Sequence, residues 1–286
     1  MQAPEGGFDY RTRVPAASLR PMVELLWYAR GTISYRRERI APTGSTVALI
    51  VLGDPIIERA DDGRGPETVS DLGLLIGPHD RPIVNEPTGE THALGIVCTP
   101  VGCEATLGVA PGRIRGRVVT LGDHWAGAAE LRDRLLDVDD PERMLELVEA
   151  NLAVAAGPMS PRLERTARAV ALLEADPTTP VATIAALVGV SHGYLDREFR
   201  RTVGIGPRAL ARLLRVRRLL EAIDVRSGID WADQAAALGW ADQAHLIRDF
   251  RRHTGVTPTR YVRAQLASLG PDELPQAAGF VPDAPG

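Results

Sequence analysis

The sequence predicts an α+β chain. An antiparallel β-sandwich or barrel with added helices precedes an all-α domain of two tandem helix-turn-helix units joined by a long helix. Three observations predict it. Short apolar runs closed by Gly or Pro fill the first part of the chain, helical spacing takes over near Asp123, and residues 181–210 recur in altered form at 231–261.

Residues 1–20 carry little pattern and are expected to form an extended or poorly ordered lead-in. From Arg20 to about Val119 the apolar runs are short: Val47-Ala48-Leu49-Ile50-Val51-Leu52, Leu72-Gly73-Leu74-Leu75-Ile76 and Ala93-Leu94-Gly95-Ile96-Val97. Closed by Gly53, Gly77 and Pro100, they have the length and breakers of strands, and many such strands suggest an antiparallel sandwich or barrel. Ala128 to Leu136 and Pro141 to Val154 have helical spacing; Asp140 supplies the N-cap, Pro141 the first helical position, and Leu145, Val148 and Leu152 an apolar stripe. Ala155-Ala156-Gly157-Pro158-Met159 marks the domain boundary, after which Ser160-Pro161 caps a helix running to about Ala175. The last stretch, residues 269–286, holds four Pro and three Gly and is expected to be disordered.

The repeat pairs VATIAALVGVSHGYLDREFRRTVGIGPRAL with WADQAAALGWADQAHLIRDFRRHTGVTPTRY. Ala185 matches Ala235 and Gly189 matches Gly239. After a one-residue offset, Ser191 matches Asp242, Leu195 Leu246, Arg197 Arg248, Phe199-Arg200-Arg201 Phe250-Arg251-Arg252, Gly204 Gly255 and Pro207 Pro258. In each copy small residues (Ala185, Ala186; Ala235, Ala236) let a short helix pack closely on a crossing partner. Gly189 or Gly239 permits the positive-φ turn that ends it. Ser191 or Asp242 then caps a second helix with a side-chain oxygen. Leu195 and Phe199, or Leu246 and Phe250, form the buried face at i and i+4, which leaves Arg197 and Arg248 off that face. This is the helix-turn-helix arrangement. Between the copies, Pro207 to about Val225 carries Leu210, Leu213, Leu214, Val216, Leu219, Leu220 and Ile223. About 19 residues span roughly 28 Å as one helix, a strut that can hold two recognition helices about one DNA turn, roughly 34 Å, apart.

The net charge of −4 argues against a nucleic-acid partner until it is divided along the chain. Residues 1–157 hold 16 Arg against 23 acids, residues 158–268 hold 17 Arg against 11, and residues 269–286 hold three acids and no base. The positive charge is therefore local to the repeated segment, where a phosphate-facing module needs it. No run of about 18 apolar residues predicts a transmembrane helix, and MQAPEGGFDYRTR lacks the apolar core of a secretory signal. Two cysteines, Cys98 and Cys103, do not suggest a disulfide framework. The expected location is cytoplasmic.

At Gly239-Trp240-Ala241-Asp242-Gln243-Ala244-His245-Leu246, followed by Phe250-Arg251-Arg252-His253-Thr254-Gly255-Val256-Thr257-Pro258 and Tyr261, the sequence resembles the AraC family of transcription activators. The resemblance covers roughly residues 160–264. It implies seven helices, with the second helix of each unit in the major groove of double-stranded DNA, and RNA polymerase as a partner if the protein activates. Candidates for base contact are His192, Asp196 and Arg197 in the first unit, and Gln243, Ala244, Ile247 and Arg248 in the second. Arg commonly reads guanine, Gln adenine, and Ala or Ile a thymine methyl. Candidates for the DNA backbone are Ser191, Arg200, Arg201, Asp242, His245, Arg251 and Arg252, the arginines serving either phosphate or intramolecular salt bridges. Three residues depart from the family pattern: Gly193 offers no side chain, Asp196 repels phosphate but can accept from cytosine, and Gln234 stands where an aliphatic residue is usual.

Residues 20–157 are similar to the cupin-like sensor domains of the same family, most clearly at Pro21-Met22-Val23-Glu24-Leu25-Leu26-Trp27-Tyr28 and the Gly77-Pro78-His79 turn. The expected organisation is a cupin-like sensor or dimerisation domain over 20–157, a double helix-turn-helix domain over 160–265 and a tail over 269–286. A small-molecule effector in the barrel has Trp27, Tyr28, His79 and His92 as candidate contacts. His79, His92 and His124 lack the paired spacing of a metal-binding cupin, and no nucleophile–base motif stands out, so no metal, cofactor or catalytic residue is expected. Three readings of the amino-terminal half remain open: an effector sensor, a domain that only dimerises or binds a protein, and a cupin enzyme. Helices within 124–155 serve either a homodimer interface or packing on the barrel. Cys98 and Cys103 either sense oxidants or are simply buried.

Overall fold

A computed structural model describes residues 8–33, 36–268 and 280–282. The strands β1 (Asp9–Arg13), β2 (Val23–Gly31), β3 (Glu38–Ile40), β4 (Val47–Val51), β5 (Ile56–Arg59), β6 (Glu67–Ser70), β7 (Gly73–Ile76), β8 (Ile83–Pro87) and β9 (Thr91–Cys98) come first. A short helix α1 (Cys103–Thr106) and a 3-10 turn (Pro111–Arg113) precede β10 (Val118–Thr120). The helices follow: α2 (Ala128–Leu136), α3 (Pro141–Ala155), α4 (Pro161–Ala175), α5 (Val181–Leu187), α6 (His192–Thr202), α7 (Pro207–Ala222), α8 (Trp231–Ala237), α9 (Gln243–Thr254) and α10 (Pro258–Ser268). The last described element is β11 (Phe280–Pro282). Among the described residues no helix is long and apolar enough to cross a membrane.

The strands form two antiparallel sheets, ordered β1-β2-β9-β4-β7-β10 and β11-β3-β8-β5-β6. Leu49, Val51, Leu74, Ile76, Ala93 and Val118 of the first meet Ile56 and Ile83 of the second in one core. The opposite face of the first sheet, with Leu26, Tyr28, Ile50, Leu75, Leu94 and Ile96, packs on Leu131 and Leu135 of α2 and Leu145, Val148 and Leu152 of α3. Helices, first sheet and second sheet are therefore three layers. The central strands are buried on both faces, which is why they read as unbroken apolar runs rather than alternating ones. The stripe of α3 is spent on the sheet.

Two expectations are sharpened, and a third falls mostly outside the described residues. Of the lead-in, expected to be extended or poorly ordered, residues 9–13 are extended and ordered as β1, paired with β2 from Asp9↔Arg30 to Arg13↔Leu26, and Leu19 is buried in the core. The first domain thus begins ahead of residue 20. β1 escapes notice because its side chains face solvent, and backbone pairing plus the Arg13–Glu149 ion pair (2.7 Å) hold it. The strut is shorter than read, ending at Ala222, because Ile223 turns extended and Asp224 accepts from the Arg226 N–H and the Ser227 hydroxyl. The disordered tail lies outside the described residues except at Phe280–Pro282, which pairs with β3.

Seven helices, α4 to α10, make up the carboxy-terminal domain. Its two cores are separate: Ile184, Leu195, Phe199 and Leu210 belong to one, and Ala235, Leu246, Phe250 and Tyr261 to the other. The strut α7 serves both, giving Leu210, Leu213 and Leu214 to the first and Val216, Leu219 and Leu220 to the second.

Candidate nucleic-acid interface

The two units turn in the same way. In the first, the Gly189 N–H donates to the Ala186 carbonyl and the Val190 N–H to that of Ala185; in the second, Gly239 donates to Ala236 and Trp240 to Ala235. Both are Schellman closures, with Gly189 at φ +72° and Gly239 at φ +77°. The next helix is then capped: Ser191 Oγ accepts from the Tyr194 N–H (3.2 Å), and Asp242 Oδ1 from the His245 N–H (2.6 Å). The one-residue offset in the repeat is Ala241, inserted between turn and cap. Phe199 and Phe250 are fully buried, and Phe250 meets Trp231 and Tyr261 edge-on.

The units differ in the helix before the turn. Ile184 is fully buried, while Gln234, at the matching position, is half-buried, and α8 buries only Ala235. Polar contacts compensate in the second unit. Trp240 Nε1 donates to Asp249 Oδ2 (2.9 Å), and the Arg215 guanidinium lies 5.1 Å from the Trp240 ring and donates to the Gly239 carbonyl.

The base-contact candidates fall into three groups. His192, Arg197, Gln243, Ala244 and Arg248 are exposed; Gly193 leaves the Arg197 guanidinium room to lie back along the helix, 3.7 Å from where a Cβ would stand. Asp196 is half-exposed and paired with Arg200 (2.8 Å). Ile247 is half-buried and packed on the second core, so less of it is exposed than the sequence suggests. Among the backbone candidates, Ser191 and Asp242 serve as caps. His245 leans toward Asp249 (3.5 Å) and Arg251 is exposed. Arg252 is bound to Asp80 of the amino-terminal domain through both Nε and Nη2, the latter at 2.5 Å.

That pair belongs to a seam sequence reasoning missed. Pro78 packs against Gly204 at the end of the first recognition helix, α6, and Gly112 lies against the carbonyls of Arg200 and Arg201. Arg113 then shares a cleft of about 590 Å³ with Arg197, Arg200 and Arg201. Arg162 pairs with Glu104 (3.3 Å) at the edge of that cleft, and elsewhere across the domain boundary Arg217 pairs with Glu24 (2.6 Å). The one legible trace of the seam was Pro111-Gly112-Arg113-Ile114-Arg115-Gly116-Arg117, with three Arg at alternate positions and no acid.

The four candidate effector contacts do not converge. Trp27 and Tyr28 are neighbours on β2 and point to opposite faces, as the period of two requires. Trp27 lies over Gly95 on the inter-sheet side, where any side chain at Gly95 would collide with the indole. Tyr28 packs on the helical side with His92, ring centroids 5.6 Å apart. His79 is buried at the seam, its Nδ1 2.7 Å from the Gly77 carbonyl, and burial lowers its pKa. What does face the barrel interior is a polar row. Glu38, Asn85 and Glu58 stand in register on β3, β8 and β5, on the same side of the sheet as Ile56 and Ile83. Asn85 Nδ2 donates to Glu38 Oε1 (2.9 Å), while Asn85 Oδ1 and Glu58 Oε2 are buried without a partner. Burial, with Glu38 adding to it, pushes the Glu58 carboxyl well up.

Cys98 and Cys103 are both free and fully buried, and the neighbouring Cys98 together with burial pushes the Cys103 thiol well up. Thiolate reactivity is suppressed there. Among the described residues no three His, Cys, Asp or Glu are grouped to hold a metal ion.

Comparison with known proteins agrees with this geometry. Residues 184–264 match the family model of a helix-turn-helix domain, and residues 11–120 match one described as a domain of unknown function (DUF6597). No curated protein matches. ToxT from Vibrio cholerae is similar in structure over 90% of this chain and 98% of its own, at 10% identity and a TM-score of 0.48. An AraC-type regulator from Chromobacterium violaceum is 29% identical over 37% of this chain and 96% of its own, with a TM-score of 0.34. The C-terminal domain of AraT from Geobacillus stearothermophilus is 20% identical over 41% and 94%, also at 0.34. The helix-turn-helix match over residues 184–264 defines the class, a DNA-binding transcription regulator. In its doubled unit behind an amino-terminal antiparallel β domain the chain resembles regulators of the AraC family.

Proposed function

We propose that the protein places α6 and α9, the second helices of its two units, in successive major-groove segments of one DNA duplex, under control of a small molecule bound in the amino-terminal domain. The observation that carries the DNA reading is the pair of identically closed and capped turns, which present Arg197 and Arg248 exposed at matched positions from the two ends of one rigid strut. Base reading falls to His192 and Arg197 on one side and to Gln243, Ala244 and Arg248 on the other. Arg251 is the phosphate contact of the second unit, because Arg252 is already committed to Asp80. Such a monomer reads both segments alone and works in the cytoplasm.

The buried unpartnered oxygens of Glu58 and Asn85 support the effector reading over a purely adhesive barrel, since a ligand donor would satisfy them. The apolar stripes of α2 and α3 are covered by the first sheet, which leaves the dimer reading without a matching surface there.

Selection of bound fragments from genomic DNA by the full chain, followed by affinity measurements across single-base variants of the best site, tests the assignment. Arg248→Ala is expected to relax preference at one base pair, worth about 1–3 kcal/mol, and Arg251→Ala to weaken every site alike and flatten the salt dependence. Equal loss at all sequences for Arg248→Ala would refute the division of labour. Failure of the full chain to prefer any sequence over bulk DNA would sink the reading itself.

A further inference from the structure

We propose that the loop from Gly112 to Arg117 in the amino-terminal domain is a third DNA-contacting element, whose Arg113, Arg115 and Arg117 neutralise backbone phosphates between the two major-groove segments. This rests on the DNA reading above and extends it to a domain with an acidic balance.

The loop is built to hold charges still. Pro111 and Ile114 are buried, and Ile114 anchors the loop in the core between the first sheet and helices α2 and α3. Its backbone is laced to the preceding turn: the Gly116 N–H donates to the Pro78 carbonyl (2.8 Å) and the Gly77 N–H to the Arg117 carbonyl (2.9 Å). Gly77 passes so close to the Ile114 carbonyl that a Cβ there would stand 1.8 Å from its oxygen. Gly116, at φ +65°, completes the turn. The three arginines project from this scaffold exposed, and among the described residues none of them makes an ion pair. Three exposed cations on one fixed stretch of backbone make a positive patch that favours an anion, and the Arg115 charge also acts on Asp80.

Its position names the anion. The loop and the Gly77–Asp80 turn form a wedge that abuts the carboxy-terminal ends of both recognition helices: Gly112 and Pro78 touch α6 and its following Gly204, and Asp80 holds Arg252 of α9. The side on which Arg113 emerges is fixed by the cleft it shares with Arg197 and Arg200, on the exposed stripe of α6 opposite Leu195 and Phe199. The single acid lining that cleft, Glu104, is already paired with Arg162. When two helices enter successive major-groove segments on one face of a duplex, the sugar-phosphate strands bordering the minor groove pass between them. A wedge between the helices, with Arg113 on the groove-facing side and Arg115 and Arg117 exposed on the same loop, meets those strands.

The test uses the full chain and its selected DNA site. Affinity is measured from about 50 to 200 mM salt for wild type, for R113Q/R115Q/R117Q, and for a control, R134Q/R143Q, whose charges sit on α2 and α3. Each lost phosphate contact removes about 0.9 from the slope of log affinity against log salt. The triple variant is expected to lose about 2–3 of slope with base preferences unchanged, R113Q alone about 0.9, and the control nothing. Ethylation interference is expected at phosphates between the two major-groove segments for wild type and to vanish there in the triple variant. An unchanged slope, or tighter binding by the triple variant, overturns the proposal while leaving the helix-turn-helix reading intact. Free inorganic phosphate at millimolar levels that competes only against wild type would instead make the cleft a small-anion site and overturn the DNA assignment. If wild type selects no sequence, it is the parent reading that fails.

Discussion

Single residues decide how each half of the molecule responds to charge. Glu58 is almost fully buried, lacks a partner at Oε2 and faces Glu38, so burial and the Glu38 charge hold its carboxyl well above the usual carboxylate range. Because its folded pKa is raised above the ordinary value of 4.5, the unfolded chain gives up this proton first. Its contribution is therefore intact below about pH 4.5 and drains away as pH rises toward the folded value. Glu58→Gln keeps the shape and the hydrogen-bonding capacity but cannot ionise. It is expected to raise Tm at pH 7–8, by about 2–4 °C for each kcal/mol recovered, and to have no advantage at pH 4. A Tm gain independent of pH would contradict that cause. This residue was legible only as one more acid in an acidic half, since burial of a strand position depends on which partner strand covers it. By contrast, the caps Ser191 and Asp242 and the turn glycines were legible because their roles are local. The separation of Trp27 from Tyr28 was also legible in principle, because adjacent strand residues cannot line one cavity.

At the scale of elements, the matched turns allow one substitution to be compared in two settings. Gly189 and Gly239 share the left-handed conformation, which costs an L-residue roughly 1–2 kcal/mol. A Cβ at Gly189 meets open space, whereas at Gly239 it stands 2.6 Å from Thr178 Cγ2. Thr178 is not free to swing away, because its hydroxyl is bonded to Asp176 Oδ1 (2.7 Å). Gly189→Ala should therefore lower stability by the backbone cost alone, and Gly239→Ala by distinctly more, read as the shift in midpoint of urea unfolding. Equal shifts would mean that Thr178 yields without cost. Elements that bury an apolar stripe or a continuous apolar run, such as α3, α7, β4, β7 and β9, announced themselves in the sequence. Strands β1 and β11 did not, since edge pairing by backbone asks nothing distinctive of the side chains.

For the whole molecule, the decisive feature is the seam, and no periodicity encodes it because its partners lie 172 residues apart in Arg252 and Asp80. Two titrating groups there are depressed in the folded protein. Burial alone would raise Asp80, but the hydrogen bond and charge of Arg252 overcome it and hold the carboxyl below its ordinary 3.8. Burial pulls His253 down to about 4, against the nearby carboxylates of Asp249 and Asp80 and with help from the Arg252 charge. A depressed group contributes fully above its unfolded pKa, here 6.5 for the histidine, and its contribution is lost as pH falls through the folded value. The seam is thus expected to loosen between about pH 6.5 and 4, with roughly 3 kcal/mol at stake in His253 at ~1.36 kcal/mol per pKa unit. Hydrogen exchange of the full chain should show residues 77–80 and 250–255 losing protection together as the pH is lowered, after correction for intrinsic exchange rates. His253→Gln, which cannot take up the proton, should flatten the fall in Tm over the same range even if it starts from a lower value. A fall as steep as that of the wild type would place the acid sensitivity elsewhere and remove the histidine from the coupling between the amino-terminal domain and the second recognition helix.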